Sequence, residues 1–243
     1  MQRGFRRGLP GAGRILTRVI RPTSRVATRS LCLLFVFSSM LATSLPAGAQ
    51  PPEEPIGGYV FDVRGTLIPF GRSIPLAEAR GLHHLDTPGR GYGYEVGGHV
   101  YVFRLLGITF GLGASYHASS ADQQPGQLSP DPEGPTLRKR FSAVGSQLSF
   151  NFGHRNGWSY LSGGLGSSRL SLFPLDPLNV EEPDQRSANT LNYGGGMRWF
   201  LTPRVAFSID IRLYAISPLP GLDGAPGSPR MTQVAFNVGA SFR

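Results

Sequence analysis

Along this chain the links between candidate strands alternate strictly between long and short, and that rhythm limits the possible folds more than any motif does. Eight segments of about ten residues alternate apolar with small or polar side chains. They are Gly58–Leu67, Tyr92–Phe103, Ile108–Ala118, Phe141–Phe152, Trp158–Leu170, Thr190–Phe200, Arg204–Tyr214 and Met231–Phe242. The links 104–107, 153–157 and 201–203 are tight. Those at 68–91, 119–139, 171–188 and 215–230 are rich in Pro, Gly, Ser and Asp. An antiparallel meander with every long loop at one end has this order. Four structureless loops of such length count against a compact soluble domain. Short turns at one end and long loops at the other suit a barrel that crosses a membrane, and strands of about ten residues suit a tilted crossing.

The two faces of the strands say which side is outside. One face carries Tyr59, Phe61, Val63 and Leu67, then Tyr92, Tyr94, Val96, Val100 and Val102, and continues through Val205, Phe207, Ile209, Ile211 and Leu213. The other carries Asp62, Arg64, Glu95, His99, Gln147, Asn151, Asn192, Arg198, Asp210, Arg212 and Asn237, padded with Gly, Ala and Ser. A soluble barrel of lipocalin type would turn the charged face to water and scatter Lys and Glu over it. Beyond the N-terminal region the only lysine is Lys139, read here as a loop residue. The apolar face is therefore assigned to lipid, and the small, sparsely charged face to the crowded lumen of an eight-stranded barrel. The fifth strand is too rich in Gly and Ser to assign.

The formal charge of +9 does not indicate a nucleic-acid partner. Eight of the 24 basic residues precede residue 30, while the first acid is Glu53, so 16 Lys+Arg face 15 Asp+Glu in the remainder. The basic leader, the apolar run Leu31–Leu45 and the small residues Ala47 and Ala49 form a secretory signal peptide. Residues 1–49 are its expected span, with cleavage before Gln50. Residues 50–57 are then a short periplasmic lead-in and 58–243 the barrel. Cys32 lies inside the apolar run with no lipobox around it, so no lipid anchor and no thiol chemistry are expected of the exported part.

Charges at mid-strand must meet in the lumen, where an unpaired charge costs several kcal/mol. Asp62, Arg64, Glu95, Arg198, Asp210 and Arg212 are therefore expected to pair as an ionic plug. Tyr59, Trp158, Tyr160, Trp199, Phe200, Tyr214 and Phe242, near strand ends, are expected to form interfacial girdles.

Eight alternating strands, an export signal and the final strand "VAFNVGASFR" resemble the small outer-membrane β-barrel family of OmpA-type and porin-like proteins. The stretch "GGGMRWFLTPRVAFSIDIRLY" looks like that family's penultimate hairpin. The resemblance covers about residues 58–243. It implies an eight-stranded antiparallel up-and-down transmembrane β-barrel, inserted by the barrel-assembly machinery. That machinery reads a C-terminal aromatic. Here Phe242 is penultimate and Arg243 last, a departure from the pattern. The family's frequent peptidoglycan-binding domain is expected to be absent.

Chemistry is weakly signalled. His117 and Ser119, with Glu133 downstream, resemble the His-x-Ser and Glu set of outer-membrane lipid A deacylases, but follow the third strand where that family places its motif late. His83, His84 and Asp86 lack the spacing of a metal site, so neither a metal nor a cofactor is expected. The cluster "LRKR", Leu137–Arg140, is placed to touch lipopolysaccharide phosphates or to be a solvated loop end. The role expected is a monomeric, non-enzymatic barrel for envelope integrity, its loops free for surface contacts. A small passive pore is the second reading and a deacylase-like enzyme the third. Outer-membrane lipid or lipopolysaccharide, and the barrel-assembly machinery during insertion, are the expected partners.

Overall fold

The computed structural model describes residues 54–124, 126, 134–175, 186–222 and 226–243. The proposed signal peptide, with Cys32, lies outside them, as does Glu133. Eight strands, β1 (Tyr59–Ile68), β2 (Gly91–Leu105), β3 (Ile108–Gln123), β4 (Thr136–His154), β5 (Gly157–Leu175), β6 (Ala188–Phe200), β7 (Val205–Ile216) and β8 (Met231–Phe242), pair in sequence order. Every ladder is antiparallel, and β8 closes on β1 from Phe61↔Phe242 to Leu67↔Phe236. This is the closed up-and-down barrel expected from the strand count and the loop rhythm.

The interior and exterior are inverted relative to a soluble protein. The eleven polar-face residues named above are all buried, whereas Tyr59, Phe61, Tyr92, Val100, Leu112, Val144 and Phe236 are exposed. The fifth strand resolves in the same way, with Leu161 and Leu165 outside and Trp158, Tyr160 and Ser162 inside.

Several strands run farther than the sequence suggests. β3 continues to Gln123, β4 begins at Thr136 and β5 reaches Leu175. Their ladders extend through Gln123↔Leu137 and Thr136↔Leu175, so polar residues assigned to loops sit on paired strands instead. Lys139 is therefore a strand residue and not a loop residue: it points inward, 2% exposed, and its Nζ donates to the Gly71 carbonyl at 3.0 Å. The first long link is not structureless either. It holds a short helix, α1 (Ile74–Glu78), capped by the Ser73 hydroxyl, and one 3-10 turn at His84–Asp86.

Two local features explain how so narrow a cylinder closes. A Cβ at Gly196 would stand 2.1 Å from the Ile209 carbonyl oxygen and 2.8 Å from the Tyr160 hydroxyl, so only glycine admits that approach. The β2–β3 hairpin turns on Leu106 and Gly107, at φ 50° and 83°. Two successive positive φ values define a type I′ turn, whose twist matches the strands but which disfavours a leucine.

Candidate functional site

The lumen divides into three tiers, and the charged one lies in the middle. Asp62 receives Arg198 in a two-point grip, Nε to Oδ1 at 3.0 Å and Nη2 to Oδ2 at 2.6 Å. The Ser241 hydroxyl also donates to Asp62 Oδ1. Arg64 Nη2 lies 2.8 Å from that oxygen, close enough for an ion pair though not aligned as a hydrogen bond. Arg64 Nη1 donates to Glu95 Oε2 at 2.8 Å and its Nε to the Ser208 hydroxyl at 3.0 Å.

Asp210 is served from three strands. Arg212 Nη2 and the Tyr160 hydroxyl each donate to Oδ2 at 2.8 Å, and Asn237 Nδ2 donates to Oδ1 at 3.0 Å. Arg212 further donates to Ser162 Oγ and Asn192 Oδ1. The Arg198 guanidinium lies 4.1 Å from the centre of the Tyr160 ring. Three carboxylates thus meet three guanidiniums, each at most 2% exposed. Equal numbers of opposite charges, each with further polar partners, are the condition under which ions persist in a low-dielectric interior.

Apolar tiers lie on both sides. Toward the long loops, Ile68, Phe70, Phe141, Tyr214 and Ile216 pack together, and Leu76 of α1 packs against Leu137 and Leu172. Arg80, just beyond α1, donates to Gly227 O at 3.3 Å and so ties the first link to the last. Toward the short turns, Trp158 stacks on Phe200 with ring centres 5.0 Å apart, beside Ile56 and Val60. The Arg243 guanidinium covers Phe200 at 3.7 Å, and its Nε donates to Pro203 O at 2.7 Å.

Four of the seven residues assigned to girdles are corrected by this arrangement. Trp158, Tyr160 and Tyr214 are buried at 2–3% exposure, and Phe200 packs on the inner floor. The reason is strand parity: Tyr214 is in phase with Asp210 and Arg212, Phe200 with Arg198, and Trp158 and Tyr160 with Ser162. Tyr59, Trp199 and Phe242 do stand outward near the short turns. Tyr92, Tyr94, Tyr116 and Tyr193 stand outward nearer the long loops. Tyr160 is the site residue that sequence reasoning misplaced, and the parity of Leu161 and Leu165 is the signal that locates it.

The candidate catalytic pair does not assemble. His117 is fully buried between the Phe141 and Tyr214 rings, each 5.5 Å away, and among the described residues neither of its nitrogens has a hydrogen-bond partner. The Ser119 hydroxyl is likewise unpartnered. The imidazole and the hydroxyl share a strand face but make no hydrogen bond to each other, so no base is set against a nucleophile. His83 and His84 sit at the 3-10 turn with ring centres 4.7 Å apart, and no group of three or more His, Cys, Asp or Glu converges among the described residues.

No family model matches the sequence, and no curated protein does. Solved structures do resemble it. Neisserial surface protein A has 12% identity and a TM-score of 0.46, over 76% of this chain and 95% of that one. Ail, the attachment invasion locus protein of Yersinia pestis, has 13% identity and a TM-score of 0.40, over 78% and 98%. The outer-membrane protease OmpT from Escherichia coli has 9% and 0.38, over 80% and 99%. The likeness is one of fold.

Proposed function

We propose that this chain is a non-enzymatic barrel of the outer membrane that contributes to envelope integrity and carries a closed lumen. Residues 1–49 act as its export signal, the short turns face the periplasm together with the start of β1 and the end of β8, and the long loops face outward for surface contacts. The barrel works as a monomer, folded into the membrane by the barrel-assembly machinery.

The observation that carries this reading is the inversion of the barrel. Three carboxylates and three guanidiniums, each at most 2% exposed, lie inside a wall whose outer surface is Val, Leu, Ile, Phe and Tyr. In water that surface would be an extreme exposed patch, and in lipid it needs no further cover. The lipid A deacylase reading has little support, since His117 and Ser119 do not meet each other. A passive pore would have to pass the charged tier and both apolar tiers.

Extraction tests the membrane assignment. The folded protein is expected to require detergent and to migrate faster on gels when unheated than when boiled. A chain that stays folded and monomeric in buffer without detergent would contradict the reading.

A further inference from the structure

On the outer wall, two adjacent rows of side chains cross β2 to β5 where the apolar surface ends. The ladders place Tyr92, Ser120, Arg140 and Ser171 in the row nearer the long loops, and Tyr94, Ala118, Ser142 and Arg169 in the row beneath. One row further down the partners are Val96, Tyr116 and Val144, where the lipid-facing surface resumes. Small residues on β3 and β4 form the floor of a shallow groove. Tyr92 and Tyr94, 65% and 51% exposed, make one wall, and Arg140 and Arg169 make the other.

The two arginines are diagonal neighbours across β4 and β5, about 7–8 Å apart at their origins, so both guanidiniums can reach one anion. Both are exposed. Arg140 lies over the Phe173 ring at 5.4 Å and Arg169 Nε donates to the Ser187 hydroxyl at 3.1 Å. Among the described residues neither has a carboxylate partner. The nearby acid, Asp122, is occupied one row above by Arg138, Nε to Oδ1 at 2.6 Å. Neither row contains an acid.

We propose that this groove binds the phosphate of a phosphorylated glycolipid in the leaflet on the long-loop side. Arg140 and Arg169 clasp the phosphate, Ser120 and Ser142 offer hydroxyls to it, and the tyrosines lie along the sugar and the first acyl carbons. Charge selects the ligand, because a guanidinium pair matches phosphate oxygens in two-point geometry. Depth selects the source, because the arginines stand just past the Tyr116–Val144 rung, where headgroups begin. The proposal rests on the membrane orientation given above.

Native mass spectrometry of the refolded full chain in detergent micelles tests it, with bis-phosphorylated lipid A as the probe. Binding to wild type is expected, and binding to Arg140→Gln/Arg169→Gln should weaken by about twenty- to thirtyfold. Arg104→Gln, at the opposite end of the barrel, should bind like wild type. The same lipid stripped of its phosphates should bind wild type as weakly as the double variant binds the intact lipid, a comparison that needs no variant to fold. Equal binding of intact and stripped lipid, or an unaffected double variant, overturns the proposal. Displacement by millimolar inorganic phosphate would mark a free-anion site and overturn the lipid assignment. Failure of the chain to enter micelles would instead remove the membrane reading, which is a separate result.

Discussion

Arg198 of β6 holds Asp62 of β1 by two parallel contacts, 3.0 and 2.6 Å long, across the interior of the barrel and 136 residues of sequence. Both side chains are 1% exposed. The pair joins opposite sides of the wall, so its removal affects closure as well as charge balance.

Removing one partner is therefore expected to be far worse than removing both. Asp62→Ala leaves Arg198 buried and short of its counter-ion, a loss of about 3–5 kcal/mol. Asp62→Ala combined with Arg198→Met should recover a large part of that loss. Urea unfolding in lipid vesicles reads the difference, and additive losses in the double variant would show that the pair is not coupled.

Tyr160→Phe removes only the hydroxyl that donates to Asp210 Oδ2 at 2.8 Å. The carboxylate keeps Arg212 and Asn237, so a loss of about 1–3 kcal/mol is expected. If Tyr160 instead belonged to an outer girdle, the same substitution would leave stability unchanged.

Gly196→Ala should impair folding, because its Cβ would meet the Ile209 carbonyl at 2.1 Å. Gly163→Ala is the matched control, since its nearest new neighbour would be the Asn192 carbonyl at 3.6 Å, an ordinary contact. The yield of heat-modifiable protein after refolding separates the two variants, and equal yields would contradict the close approach.

Leu106→Asn should stabilise the barrel. Leu106 is 93% exposed and held at φ 50°, where leucine is disfavoured by about 1–2 kcal/mol and asparagine much less. A raised urea midpoint is the expected reading, and a lowered one would mean that the turn is shaped by something other than its backbone.

These outcomes reflect how differently parts of the fold are encoded. Strand count, order and facing follow from period-two patterning and the loop rhythm, which are local properties. Strand ends past Ala118 and before Phe141 do not, because Ser, Asp and Arg tolerate a strand once a partner ladder satisfies their backbone. The charged residues of the plug could be placed on one face from sequence, but not their partners. Nothing local in "SYLSGG" brings Tyr160 to Asp210 rather than to the Arg198 ring contact alone. The inward position of Tyr214, by contrast, is legible in its phase with Asp210 and Arg212, which outweighs its place near a strand end. The inner cap is of another kind again: Leu76 reaches Leu137 and Leu172 only because a five-residue helix forms in what reads as a loop.

Conductance tests the closed lumen most directly. Refolded wild-type protein in a planar bilayer is expected to leave the current at baseline, because three apolar and ionic tiers lie in series along the barrel. Discrete, voltage-stable channels from the wild-type protein would contradict the plug and make the barrel a pore.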